Sequence, residues 1–157
     1  MLTTDVSINK ILWKKLIKEL KTRGNGIRES GAFLLGNAAK GEITEFICYD
    51  DLDHHALDSG IIVFAGDGYI PLWKICREKG LQVLADVHTH PGSWTGQSGA
   101  DKKHPMIAQA GHIALIIPNL ATKRGQLLKN VGIHEYMGDK KWNTWEISSG
   151  KLKITEK

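Results

Sequence analysis

The stretch that most restricts what this chain can become covers residues 88–101, HTHPGSWTGQSGAD. His88 and His90 stand one residue apart, followed by Pro91, six residues, Ser98, two residues and Asp101. The apolar run LQVLADV before them reads as a strand. Side chains two apart on a strand share a face, so both imidazoles point the same way. Gly92, Gly96 and Gly99 suit a loop that folds back tightly and returns a carboxylate toward them. Two imidazoles and one carboxylate leave an open position, the arrangement expected of a catalytic zinc site.

A chain of 157 residues is expected to form one domain with a real core, here assigned to 1–150, followed by a polar tail over 151–157. No run of about 18 apolar residues occurs, so no membrane partner is expected. The segment MLTTDVSINK has no apolar core behind a basic start and does not read as a secretory leader. Cys48 and Cys76, the two cysteines, are far apart and read as reduced thiols of a cytoplasmic protein, neither of them a zinc ligand. The net charge of +4 comes from scattered lysines with no basic stripe interleaved with aromatics, so no nucleic-acid partner is expected. That surface also suits an acidic macromolecular partner.

Along the chain, Ile8, Ile11, Leu12, Leu16 and Leu20 recur at spacings of three and four and predict an amphipathic helix. Asp5 or Ser7 would cap it and Gly24 or Gly26 would end it. Glu29 precedes SGAFLLG, a buried strand, and then EITEFICYDDLD predicts a second strand joined by a turn at Lys40-Gly41. Glu29 has two readings: a loop or helix-end charge, or a base carried close to a metal. The His54-His55 pair reads as an exposed loop, because adjacent residues on an extended chain point apart. IIVF at 61–64 predicts a buried strand, and GDGYIPLWKICREKG a loop and a helix burying Ile70, Trp73 and Ile75 or Cys76, stopped by Gly80. GHIALIIPNLA supplies another strand, and VGIHEYMG with KWNTWEIS a closing hairpin turning at Gly138-Asp139. His104 reads as exposed or as a neighbour of the metal ligands, His112 as a hydrogen-bonded core or edge residue, and His134 carries no motif. The order suggests an α/β sandwich of mixed strand direction.

With Glu29 before GAFLLG, HTHP at residues 88–91, and Ser98 and Asp101 at their spacing, the chain resembles the JAMM (MPN+, JAB) metallopeptidase family. The segment order is similar to the MPN fold over nearly the whole chain. The resemblance implies an α/β architecture of the JAB1/MPN, cytidine-deaminase-like kind, a mixed β-sheet flanked by helices. It implies that His88, His90 and Asp101 ligate one Zn2+ and that Glu29 is the general base for the bound water. Ser98 would donate a hydrogen bond to the oxyanion, set against a reading as a loop-capping hydroxyl. Trp94 is read either as an apolar contact to an extended substrate tail or as loop packing.

Such proteins hydrolyse bonds after the C-terminal glycine of ubiquitin or ubiquitin-like proteins, so the expected partner is a ubiquitin-like protein or its conjugates. The stretch DVHTHPGSWTGQSGAD looks like stand-alone prokaryotic JAB peptidases encoded beside E1-like and E2-like enzymes in antiphage operons. Little room exists for ubiquitin-clamping insertions, with about thirty residues between Glu29 and Ile61. Two alternatives stand: a peptidase acting on a sulfur-carrier protein in cysteine or sulfur metabolism, and a non-catalytic module that binds a modifier.

Overall fold

The computed structural model describes residues 5–123 and 130–156. Residues 1–4, at the start of the segment read as lacking a leader, and residue 157, the end of the expected tail, lie outside the described residues. Among the described residues eight strands make one sheet: β1 (Val6–Asn9), β2 (Gly31–Asn37), β3 (Glu42–Cys48), β4 (Gln82–Thr89), β5 (Ile113–Ile117), β6 (Gly132–Gly138), β7 (Lys141–Trp145) and β8 (Leu152–Thr155). Their order across the sheet is β7-β6-β5-β4-β2-β3-β1-β8. β4 lies antiparallel to β2 and parallel to β5, and β1 is parallel to both β3 and β8. The helices are α1 (Lys10–Gly24), α2 (Tyr49–Leu52), α3 (Tyr69–Lys79) and α4 (Gly99–Lys103). The expected mixed α/β architecture is present. None of the described helices is long and apolar enough to cross a membrane.

Helix α1 covers one face of the sheet, where Trp13, Leu16 and Leu20 meet Ala32 and Leu34 of β2, Ala85 and Val87 of β4, and Ile113, Leu115 and Ile117 of β5. Helices α2 and α3 cover the opposite face around Phe33, Leu35, Tyr49, Leu57, Leu72 and Cys76. Each fully buried aliphatic or aromatic side chain contributes roughly 1.5–3 kcal/mol, so these two clusters hold the layers together. The alternation of β4 thus sends Ala85 and Val87 toward α1, and Asp86 and His88 toward the second face.

Several expectations are corrected. Helix α1 begins at Lys10, because the Asn9 side chain accepts the Leu12 amide at 2.8 Å; neither Asp5 nor Ser7 caps it. It ends on Asn25 in the left-handed conformation (φ 52°), directly after Gly24. Ile8 is core through β1 rather than through the helix, and Ile11 is exposed while Trp13 takes the buried position. Residues 61–64 form no strand. Ile61 and Val63 are exposed, and the Val63 amide turns back to the Ala56 carbonyl instead of joining a neighbouring strand. Tyr49 starts α2 rather than continuing β3. In α3 Leu72 and Cys76 are buried, whereas Ile70 and Trp73 face outward. The closing turn is centred on Asp139 and Lys140, both with positive φ, one residue later than expected.

Within the segment read as a polar tail, residues 152–155 form β8. Leu152 is buried and pairs with Val6, while Lys151 reaches Glu135 at 3.2 Å and lies 4.7 Å over the Trp145 ring. Alternating lysines obscured a strand whose apolar residues point inward.

Candidate metal centre

The site stands at the C-terminal end of β4, on the face away from α1. His88 is the penultimate residue of the strand, opposite Gly31 of β2 and Ile116 of β5. His90 follows just past its end, with its amide donating to the Ile117 carbonyl at 2.9 Å. Between them Thr89 points the other way and is fully buried. Its hydroxyl accepts the Ser30 amide at 3.0 Å, its own amide donates to the Ser30 carbonyl, and the Ser30 hydroxyl donates to Leu20 at the end of α1. Ser30 therefore ties three elements together and holds its neighbour Glu29 beside the histidines. The Glu29 amide donates to the Gly60 carbonyl at 2.8 Å, and Glu29 lines the same cavity as His88 and Asp101.

Asp101 comes back through a capping box. The Ser98 hydroxyl accepts the Asp101 amide at 3.1 Å, and the Asp101 carboxylate accepts the Ser98 amide at 2.9 Å. This reciprocal pair starts α4 and aims the carboxylate at both imidazoles. The capping reading of Ser98 is thus realised; because the hydroxyl accepts in this contact, its own proton stays available for donation.

The donor atoms meet at short range. Nε2 of His88 lies 3.1 Å from Nε2 of His90, Oδ1 of Asp101 lies 3.4 Å from His88, and Oδ2 lies 3.2 Å from His90. Ligands at zinc distances of 2.0–2.2 Å with tetrahedral angles are about 3.3–3.6 Å apart. The observed separations are close to the edges of such a tetrahedron, and the nitrogen-and-carboxylate donor set suits zinc or a similar divalent ion. Among the described residues, this is the one gathering of three potential ligands.

The surroundings fix which His90 atom faces the metal position. Its Nδ1 lies 3.2 Å from the Trp94 carbonyl oxygen, which only accepts, so Nδ1 carries the hydrogen and neutral Nε2 offers its lone pair. Burial works against a charged His90, but the hydrogen bonds to Asp101 and Trp94 and the charges of Asp101 and Glu29 outweigh it and raise its pKa. Burial likewise opposes a charged Asp101, and the two imidazoles overcome it, holding the carboxyl well below its usual range. The Trp94 indole stacks on the His90 ring at 5.6 Å and 26° while remaining 61% exposed. Gly96 permits this, since a Cβ there would come within 2.6 Å of the indole. Loop packing and an outward apolar face are both present at Trp94.

Support for this loop comes from residues not singled out by sequence. Nε2 of His134 on β6 donates to the Thr95 carbonyl at 2.9 Å, and its Nδ1 accepts from Thr144 at 2.9 Å. Burial lowers the His134 pKa, so the ring is held neutral. Asn119, Leu120 and Ala121 all adopt positive φ, and the first two donate their amides to the carbonyls of Gly92 and His90. Three consecutive left-handed non-glycine residues are costly and occur where the surroundings enforce them, here directly beneath the histidine loop.

The remaining candidates lie elsewhere. His54 and His55 are exposed, with His55 paired to Asp58 at 2.7 Å. His104 is exposed at the end of α4, on the cavity rim rather than among the ligands. His112 is buried and donates to Asp86 at 2.6 Å, as expected of a hydrogen-bonded core residue; the identity of its partner had no sequence signal. Cys48 is a buried free thiol whose pKa burial pushes up to about 12, which leaves it inert as a nucleophile.

No family model matches the chain. Among solved structures it is similar to protein DSY2949 from Desulfitobacterium hafniense, with TM-score 0.68, 17% identity and coverage of 97% of this chain and 94% of that one. It is similar to AF2198, a JAB1/MPN domain protein from Archaeoglobus fulgidus, with TM-score 0.54, 16% identity and coverage of 96% and 98%. A protein from Salinibacter ruber gives TM-score 0.61, 14% identity and coverage of 97% and 92%. The fold is that of a JAB1/MPN domain.

Proposed function

We propose that this chain, built on a JAB1/MPN fold, is a zinc-dependent isopeptidase or peptidase that cleaves after the C-terminus of a ubiquitin-like protein. The observation that carries the reading is the placement of Glu29 on the same cavity wall as a His88-His90-Asp101 set spaced for one ion. Fold alone does not argue for chemistry, since MPN domains also serve as non-catalytic scaffolds; the filled positions do. Zinc held there supplies a Lewis acid and lowers the pKa of a water to about 7.

Glu29 takes the proton of the attacking water and returns it to the leaving amine, acting as base and then acid. Ser98, its lone pair engaged by the Asp101 amide, donates its hydroxyl proton toward the oxyanion of the tetrahedral intermediate. The Trp94 indole offers an apolar surface for the extended tail entering the site. The ubiquitin-like protein and its E1-like and E2-like enzymes are the proposed partners, in an antiphage conjugation system.

The test is cleavage of a reporter fused to the C-terminus of a ubiquitin-like protein encoded beside this chain, with and without a chelator. Cleavage that the chelator stops and that falls by about 10²–10⁴ in Glu29→Gln, with zinc content unchanged, supports the reading. Stoichiometric zinc without cleavage shifts the substrate to a sulfur-carrier protein or the role to modifier binding. A protein that takes up no metal sinks the catalytic reading.

A further inference from the structure

Beside the metal centre the structure contains a cavity of about 490 Å³, within the range of ligand-binding pockets. Its floor is made by Asp86, two residues before His88 on the same face of β4, and by Ala114, its partner on β5, too small to cover it. Asp86 is 2% exposed, and Nε2 of His112 donates to its Oδ2 at 2.6 Å. Burying a carboxylate is costly unless hydrogen-bond donors or a cation compensate it. No lysine or arginine among the described residues lines this cavity, and the other carboxylate facing it beyond the metal ligands is Glu29.

A second observation comes from α2. The Tyr49 side chain is fully buried and lines the same cavity, and its hydroxyl has no hydrogen-bond partner among the described residues. Buried hydroxyls are nearly always paired, so an orphan facing a cavity marks a place where a ligand group belongs. The fold also makes special room for this ring: a Cβ on Gly31, opposite His88, would overlap it. Phe64, Tyr69 and Met106 add apolar walls to the cavity. A cavity that combines apolar walls with a buried carboxylate and a buried hydroxyl matches a long aliphatic stem with a cationic head.

We propose that this cavity is a recognition pocket for a basic side chain, lysine or arginine, of the polypeptide presented to the metal centre. Asp86 supplies the counter-charge, His112 holds that carboxylate in place, and the Tyr49 hydroxyl takes a second hydrogen bond from the ligand. The pocket's part in cleavage rests on the peptidase reading; its ligand class does not.

The experiment titrates zinc-loaded protein with the Nα-acetyl amides of arginine, lysine and norleucine, followed by backbone amide NMR shifts. The expected result is saturable shifts at Asp86 and Ala114, with the basic amides binding at least about tenfold more tightly than norleucine amide. Asp86→Asn removes that preference. Tyr49→Phe is the diagnostic variant: deleting an unpartnered buried hydroxyl leaves the melting temperature equal or higher while weakening the basic amides severalfold. Equal response to norleucine amide, shifts absent from the cavity, or a Tyr49→Phe protein that melts lower with unchanged binding would each overturn the proposal. Normal selectivity in a protein that cleaves nothing counts against the peptidase reading alone.

Discussion

Nε2 of His90 faces Oδ2 of Asp101 at 3.2 Å, with the hydrogen of that imidazole committed on the other side of the ring to Trp94. In the neutral tautomer two lone pairs point at each other, an arrangement that calls for a proton or a metal cation between them. The same logic extends to His88, 3.4 Å from the other carboxylate oxygen. From this relationship zinc is expected to stabilise the folded state by mass action, by about 2.7 kcal/mol at a hundredfold excess over Kd. For a domain of this size that is a rise of roughly 5–10 °C in Tm. Thermal melts with and without zinc check it, and His88→Ala or Asp101→Ala is expected to abolish the rise. A wild-type Tm indifferent to zinc, manganese and iron alike would remove the metal centre.

Ser98 has two roles that substitution can separate. Ser98→Ala removes the cap of α4 and is expected to cost about 1 kcal/mol in stability together with cleavage activity. Ser98→Asp restores a side-chain acceptor for the Asp101 amide but no hydroxyl donor, so the stability returns while the activity does not. Recovery of both in Ser98→Asp would show that capping alone explains this residue.

Gly132 on β6 touches the site from outside. A Cβ there would overlap the Thr95 carbonyl oxygen, the group that His134 holds. Gly132→Ala is expected to cost about 1–3 kcal/mol through overpacking. It also displaces the loop that orients His90 and weakens zinc binding by about 10–100-fold, the usual effect of disturbing a ligand's support. Denaturant melts paired with zinc titration measure the two effects, and unchanged zinc affinity would free the loop from any supporting role.

His134 sets a pH dependence. Its folded-state pKa is lowered by burial below the ordinary 6.5, so below that pH the unfolded chain binds a proton that the folded chain refuses. Its contribution therefore favours folding above about pH 6.5 and declines as the pH falls toward the lowered value. Replacing it with Gln, which retains an amide donor for Thr95, is expected to flatten this part of the profile. Metal-free melts from pH 7.5 to 5.5 check the difference between the two proteins; parallel profiles would contradict it.

Strand β8 yields a test of the chain's end. Leu152 is 1% exposed against Val6, so Leu152→Ala is expected to cost about 2–5 kcal/mol, as for other large-to-small changes in a core. A loss below about 0.5 kcal/mol in urea denaturation would return residues 152–155 to the status of a tail.

How far the sequence went depends on how local each feature is. His88, His90, Ser98 and Asp101 fall within one short segment, and strand alternation plus a capping box bring them together with little help from the rest of the chain. Helix α1, the β2–β3 hairpin, the left-handed stop at Gly80 and the β6–β7 hairpin were legible for the same reason: period, caps and turn residues act over a few positions. Strands β1 and β8, four residues each, are too short to show a period and form because they pair with each other at the sheet edge. Residues 61–64 carry strand-like composition but find no neighbouring strand, so half of that run faces outward.

Tertiary structure alone decided what stands around the metal position. Parallel pairing of β4 with β5 brings Asp86 to His112 across 26 residues, and the docking of α2 sets the Tyr49 hydroxyl into the same cavity. Ser30 and Thr89 meet across 59 residues to hold Glu29 in place. A sequence encodes local geometry through backbone preference and side-chain period, whereas contacts between distant segments exist only once burial has chosen the sheet order.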